Sequence, residues 1–124
     1  MDPQFTDREL DIMNVLWDTG GATATEVQKQ LEDKLAYNTV LTMLRILEEK
    51  GHLRHEEEGR AFRYIPRVAR KTAKASAVKR LVKKLFDGEA RQLATELVAN
   101  RSLSDDDLRE LRALLDERLK DRKP

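Results

Sequence analysis

In the first half of the chain, apolar residues recur at the spacing of amphipathic helices, in several short stretches. Thr6 is followed three residues later by Glu9, a capping box that precedes apolar residues at helical spacing. Thr23 and Glu26 repeat this signature after a pair of glycines. A third helix is predicted over 36–51, where Gly51 stands at the position of a left-handed glycine that ends a helix. The pattern therefore predicts three consecutive helices.

The third predicted helix has two unlike faces. One face is apolar and predicts a core contact: Val40, Met43, Leu44 and Leu47. The opposite face carries Asn38, Thr42 and Arg45, with Thr39 on its shoulder. Threonine and asparagine lower helix propensity, so this face needs an explanation. In one hypothesis Asn38 and Thr39 cap a helix that starts late. In the other, short polar groups and one arginine face base edges in a major groove.

The segment after the third helix has the pattern of a β-hairpin. An acidic turn that contains glycine separates "HLRH" from "RAFRYI", and Phe62 and Tyr64 alternate with their neighbours at the period of a strand. Three short helices followed by a hairpin predict a winged helix-turn-helix, whose third helix enters the major groove while the hairpin lies against the backbone. This context favours the hypothesis that the polar face reads bases.

The second half of the chain predicts three more helices. Gly88 ends the fourth, and Ser104 begins the sixth with three aspartates in its first turn. These helices bury too little surface to fold alone, which favours a homodimer, although a monomeric bundle packed on the winged helix is the alternative. The residues predicted to form the dimer contact are Val78, Leu81, Val82, Leu85, Phe86, Leu97, Leu108, Leu111 and Leu115.

The predicted fold class is mainly α with a small β-hairpin (α+β). A winged helix-turn-helix domain is expected over 1–67 and a helical dimerisation domain over 68–124. Residues 1–66 hold eight basic and thirteen acidic residues, while 67–124 hold sixteen and ten. Residues 67–86 contain eight basic residues and no acidic one, which indicates either a helix that faces phosphates or an ordinary solvated helix.

The predicted contacts with the DNA backbone surround the third helix and the wing: Lys34, Tyr37, Arg60 and Arg63. The predicted base contacts are Asn38, Thr39, Thr42 and Arg45. Glu56, Glu57 and Glu58 at the tip of the wing would repel phosphates, so weaker and more salt-sensitive binding is expected.

Catalysis and metal binding find no support in the sequence. The absence of cysteine excludes thiolate chemistry, and His52 and His55 lie near no third ligand in metal spacing apart from the glutamate run. No cofactor is predicted, and the chain is not expected to be an enzyme. The first residues lack the apolar core of a leader, and no apolar run approaches a membrane span. A soluble cytoplasmic protein is expected.

Several fragments, in order, resemble the penicillinase and methicillin-resistance repressor family of the BlaI and MecI type. They are "ATATEV", "NTVLTML", "LEEKGHL", "EGRAFRYIP", "LFDGE" and "LSDDDLRELRALL". The resemblance implies a dimeric bacterial repressor that binds inverted repeats upstream of resistance genes, with Asn38, Thr39 and Thr42 facing the groove. The family usually has its arginine one residue after position 45, where this chain has Ile46, so its base preference is expected to differ.

The same resemblance implies a mode of release from DNA. In penicillinase repressors a membrane sensor protease triggers cleavage at an Asn–Phe bond, and the matching bond here joins Glu96 to Leu97. Cleavage with the same specificity is not expected, but induction by weakening of the dimer is. A protein-binding adaptor that uses the winged helix and bundle only for protein contacts is the alternative function.

Overall fold

The computed structural model describes residues 3–121. Helices and strands follow one another in an order that matches a winged helix and then a helical segment. They are α1 Asp7–Thr19, β1 Ala22–Thr23, α2 Ala24–Gln30, α3 Tyr37–Glu49, β2 Leu53–Glu58, β3 Ala61–Pro66, α4 Arg70–Leu85, α5 Ala90–Ala99 and α6 Asp105–Lys120. The predicted fold class is confirmed, since the helices dominate and the strands form one small sheet.

The first two helices begin at the predicted capping boxes. The Thr6 hydroxyl accepts a hydrogen bond from the Glu9 amide at 3.1 Å, and the Glu9 carboxylate accepts one from the Thr6 amide at 2.8 Å. Thr23 and Glu26 make the same reciprocal pair at 3.2 and 2.9 Å. Each box satisfies two amides that have no partner within their helix.

Helix α3 starts earlier than the capping hypothesis requires. Its N-cap is Ala36, which makes no side-chain cap, and Asn38 and Thr39 lie inside the first turn. The hypothesis that these two residues cap a late helix is therefore wrong. The helix ends as predicted, because Gly51 adopts φ 87° and its amide donates to the Glu48 carbonyl at 2.9 Å.

The hairpin forms the predicted wing and also pairs with a strand that the sequence did not predict. Strand β3 lies at the centre of a three-stranded antiparallel sheet with the order β1-β3-β2. His55 pairs with Tyr64, and Ala22 of β1 pairs with Tyr64 on the other side. The β2–β3 turn contains Gly59 at φ 63°, a conformation that two-residue hairpin loops favour. Strand β1 thus attaches the wing to the segment before α2.

The region up to Lys79 is one of two compact units and has its own apolar core. The start of α4 is fixed to α1, because the Trp17 indole donates to the Val68 carbonyl at 2.8 Å and Arg70 pairs with Asp18 at 2.8 Å. The core residues come from α1, α2, α3 and the sheet: Ile12, Met13, Leu16, Ala22, Ala24, Val27, Leu31, Val40, Leu44, Leu47, Leu53 and Tyr64.

The second compact unit begins at Arg80, so the boundary between the two units lies inside α4. The turn after α4 uses Asp87 and Gly88 at positive φ, and the Gly88 amide donates to the Val82 carbonyl at 3.0 Å. Ser104 is the N-cap of α6, in agreement with the predicted start, and it forms a capping box with Asp107. No helix in the part of the chain that the structure describes is long and apolar enough to cross a membrane.

Candidate nucleic-acid interface

Helix α3 keeps an apolar face inside and a polar face outside. Val40, Leu44 and Leu47 are fully buried, whereas Met43, predicted for the same face, is half-buried at the edge of the core. The predicted base contacts are all exposed: Asn38, Thr39, Thr42 and Arg45. Their polar groups are therefore presented to solvent along one side of a helix whose opposite side fixes it to the core.

The start of α3 carries two of the predicted backbone contacts. Tyr37, the first residue of the helix, is exposed. Lys34 is also exposed, and its ammonium group donates to the Lys29 carbonyl at the end of α2 at 2.7 Å. Because a lysine ammonium has three donors, this single bond leaves donors for a phosphate. The loop before α3 therefore offers a cation beside the polar face.

The acidic wing is partly neutralised by its own arginines. Arg54 pairs with Glu56 at 2.8 Å, and Arg63 binds Glu58 through two bonds of 2.8 and 2.9 Å. The Arg63 hydrogen bond lowers the pKa of the Glu58 carboxyl. These pairs reduce the repulsion that a phosphate would meet at the wing.

Groups of the chain itself already bind the guanidinium of Arg63, unlike that of Arg60. In addition to Glu58, its guanidinium lies 3.3 Å from the Glu26 carboxylate and donates to the Gly21 carbonyl at 2.9 Å. The hydrogen bonds that Arg63 donates to the Glu58 carboxylate are the main reason why the Arg63 pKa is raised. Arg60 is exposed in the β2–β3 turn, and no side-chain bond to it is found among residues 3–121. A phosphate that binds Arg63 would therefore compete with three partners inside the chain. None of these three partners binds Arg60.

The end of α3 is joined to α1 by an ion pair between a buried carboxylate and a half-exposed lysine. The Glu9 carboxylate is almost fully buried and lies 3.0 Å from the Lys50 ammonium. Burial alone would raise the pKa of Glu9, but the Thr6 amide and Lys50 outweigh it and hold that pKa below its usual value. Burial and the Lys50 charge lower the pKa of the neighbouring His52, which Glu9 opposes. The pair fixes the direction in which α3 leaves the core.

The predicted dimer residues differ in exposure. Within α4, Val82 is buried and Phe86, just after the helix, is half-buried, so the chain itself covers both. The other predicted residues remain exposed: Val78, Leu81, Leu85, Leu97, Leu108, Leu111 and Leu115. Val98, Leu114 and Leu119 are also exposed and extend the apolar surface of α5 and α6 beyond the predicted set.

Histidine placement gives no metal centre. His52 is buried beside the Phe5 ring, with centroids 4.7 Å apart, while His55 lies on the wing. Among the residues that the structure describes, no group of three or more metal-ligating side chains is assembled. His55 instead contacts Glu48 at 2.5 Å, a link between wing and α3 that sequence reasoning missed. Its only signal was an unexplained histidine within a strand of glutamates.

The curated relatives of the chain include two repressors. The chain is 31% identical to the penicillinase repressor of Bacillus licheniformis over 117 residues, which cover 93% of this chain and 91% of the relative. It is 24% identical to the methicillin resistance regulatory protein MecI of Staphylococcus aureus (strain N315), with 93% and 95% covered. Both alignments therefore extend through the winged helix into the C-terminal helices.

A solved structure matches the first half of the chain. The Bacillus licheniformis BlaI monomeric form in complex with the blaP half-operator is 36% identical, with a TM-score of 0.50, and covers 58% of this chain and 90% of that chain. The family model described as penicillinase repressor matches residues 5–117. The chain therefore belongs to the penicillinase repressor family.

Proposed function

We propose that this chain represses transcription by binding an operator through the outward face of α3. The observation that carries the proposal is the exposure of Asn38, Thr39, Thr42 and Arg45 on a helix that needs none of them for capping. Amide, hydroxyl and guanidinium groups match the donor and acceptor edges of bases in a major groove. The BlaI structure with a half-operator, similar over the same region, supports this assignment.

Backbone contacts position α3 in the groove. Lys34 lies in the loop before the helix, Tyr37 is its first residue, and Arg60 lies at the tip of the wing. Arg63 serves first as an internal bond between wing and α2, because Glu58, Glu26 and the Gly21 carbonyl already bind it. In this proposal Arg60 makes the principal phosphate contact of the wing.

The proposed active form is a homodimer that binds an inverted repeat. The apolar surface of α5 and α6 supports it, since leucines that are 39 to 70% exposed on α6 are costly to leave in water. A two-fold dimer buries the same surface on both copies and places two α3 helices on two half-sites.

Release from the operator follows from weakening of this dimer. The bond between Glu96 and Leu97 lies on α5, where both side chains are exposed. Cleavage there, by a protease under the control of a membrane sensor, would separate α6 from the winged helix and remove the benefit of joint binding. Action on operator DNA places the protein in the bacterial cytoplasm.

The proposal is tested by titrating the intergenic DNA upstream of its own gene, and random DNA, at two salt concentrations. Thr42→Ala should weaken operator binding by about 1 to 3 kcal/mol per half-site and leave random DNA almost unchanged. Arg60→Ala should weaken both and reduce the salt slope by about one.

Arg54→Ala is the matched control for Arg60→Ala, because Arg54 lies on the same wing but pairs with Glu56. It should change both titrations less than Arg60→Ala does. Absence of retardation at low salt would favour the protein-binding adaptor, and equal losses of specific and random binding in both test variants would contradict the assigned roles.

A further inference from the structure

Helix α3, the proposed recognition helix, and the wing meet at a charged contact between His55 and Glu48. The His55 Nδ1 of β2 lies 2.5 Å from a Glu48 carboxylate oxygen near the end of α3. Both side chains are about one-third exposed, with values of 34% and 30%. A hydrogen bond of this length between two partly shielded side chains holds both of them in place.

Aromatic packing fixes the other side of the imidazole ring. The His55 ring stacks on Phe62 of β3 with centroids 4.2 Å apart and planes 17° from parallel. The Tyr64 ring, which is buried, lies 6.0 Å away. Because β3 is the central strand of the sheet, this stack transmits the position of the ring to the whole wing.

The contact matters for DNA binding because the wing ends in Arg60. The turn at Gly59 and Arg60 follows β2 directly, so a change in the angle between β2 and α3 moves Arg60 relative to the polar face. We propose that the pair of His55 and Glu48 positions the wing against the recognition helix, so that protonation of His55 strengthens operator binding. This inference rests on the proposed function.

The sign of the effect follows from the groups around His55. Glu48 faces the ring from α3, and Glu57 lies two residues along the same face of β2. From β3 come the rings of Phe62 and Tyr64, both uncharged at neutral pH. Arg45 of α3 lies beside Tyr64 and is the one cation in this set.

Two carboxylates thus outnumber one guanidinium around the imidazole, and DNA phosphates add negative charge near the wing. A protonated ring donates a charge-assisted bond to Glu48, whereas a neutral ring donates an ordinary one. When His55 is charged, a larger fraction of the molecules therefore holds the wing against α3. Because this arrangement is the one proposed to bind DNA, the larger fraction raises the apparent affinity for the operator. Operator affinity should therefore be higher at lower pH.

The test is an operator titration of the full-length protein at about pH 8, 7 and 6, where imidazole charge changes most. Wild type should gain about twofold to fivefold in affinity across this range, the scale of a partly exposed ion pair. His55→Gln, Glu48→Gln and the double variant should each lose that pH dependence. The double variant should bind no more weakly than the weaker of the single variants.

Glu56→Gln is the matched control, because Glu56 lies on the same strand and pairs with Arg54 rather than with α3. It should retain the wild-type pH dependence. The chain has two histidines, so a pH dependence that survives in His55→Gln would belong to His52 or to other groups and would overturn the inference. Thermal melts of each variant verify that it is folded, as expected for side chains that are one-third exposed.

The outcomes separate this inference from the proposed function. If wild type binds no operator, both are overturned. If wild type binds but its affinity does not change with pH, this inference alone fails. If the pH dependence survives in Glu48→Gln and is lost in His55→Gln, the imidazolium acts directly on phosphates and the pair is not a positioning device.

Discussion

The region up to Lys79 and the region from Arg80 use their apolar residues in opposite ways. In the first region twelve core residues are 5% exposed or less, and they come from helices and strands far apart in the chain. In the second, among residues 80–121, Val82 is the only hydrophobic residue that is buried. Leu85 and Leu119 are 73% and 70% exposed.

This difference indicates which region can exist alone. A core that is closed within 79 residues buries its own apolar side chains. The capping boxes satisfy backbone amides, and Lys50 binds the buried Glu9 carboxylate. Helices α5 and α6 lack such a core, so tertiary packing from elsewhere must stabilise them. We therefore propose that the first region recognises DNA and that the second region joins two copies of the chain.

The largest expected effect comes from removing the apolar contact of the second region. Leu111→Asp combined with Leu115→Asp places two charges on the exposed face of α6 and should convert dimers into monomers. Operator affinity should then fall by about 10² to 10⁴, the range lost when two linked contacts become independent. Light scattering and operator titration measure the two effects.

Ala113→Asp combined with Lys120→Asp is the control for this double variant. Both residues lie on α6, but away from the face of Leu111 and Leu115. The control should remain dimeric and lose much less affinity. An unchanged dimer mass for the Leu111 and Leu115 variant would refute the assignment of this surface.

The second expected effect compares one leucine in each region. Leu44→Ala removes a fully buried side chain of α3 and should lower the free energy of unfolding by about 2 to 5 kcal/mol at any protein concentration. Leu111→Ala should lower stability in a way that depends on concentration, because it acts through association. Urea denaturation at two protein concentrations separates these cases, and equal concentration dependence in both variants would contradict the comparison.

Local signals in the sequence predicted much of the fold. The capping boxes at Thr6 and Thr23 and the left-handed Gly51 depend on residues within a few positions of each other, so a single sequence contains them. The helical period also predicted which side of α3 is exposed. The family resemblance and the prediction that the chain is not an enzyme are confirmed by the match to a repressor family.

The parts that were not predicted depend on contacts between distant positions. Strand β1 has two residues and exists because Ala22 meets Tyr64 across the sheet. Lys50 meets Glu9 over a separation of 41 residues, and Arg63 reaches the Gly21 carbonyl over 42. No local pattern contains such pairs. For this reason the sequence predicted Arg63 as a phosphate contact without its three internal partners.

A smaller effect is expected from acid, and it belongs to the first region. The pKa of Glu9 is lowered in the fold, so its stabilisation is complete above its ordinary value near 4.5 and is lost as pH falls below it. The pKa of His52 is also lowered, so the unfolded chain takes up that proton first and stability falls below about pH 6.5. Both groups make unfolding easier as pH falls from neutral.

Glu9→Gln separates the effect of the Glu9 carboxylate on acid stability from the effect of the His52 imidazole. This variant should be about 1 to 3 kcal/mol less stable at neutral pH, because it replaces the buried carboxylate that the Thr6 amide and Lys50 bind. It should also lose less stability than wild type below about pH 4.5. Urea denaturation at a series of pH values measures both. His52→Gln should instead flatten the decline that begins near pH 6.5, and identical acid profiles in all three proteins would contradict these pKa assignments.

The most direct test of the division between recognition and association is a chain that ends at Glu96. Residues 1–96 contain the complete first unit but lack α6 and the end of α5. We expect this fragment to be a monomer that prefers a half-site over random DNA. It should bind the full operator about 10² to 10⁴ times more weakly than the full-length chain does. Full-length operator affinity in this fragment would show that association between copies does not control binding.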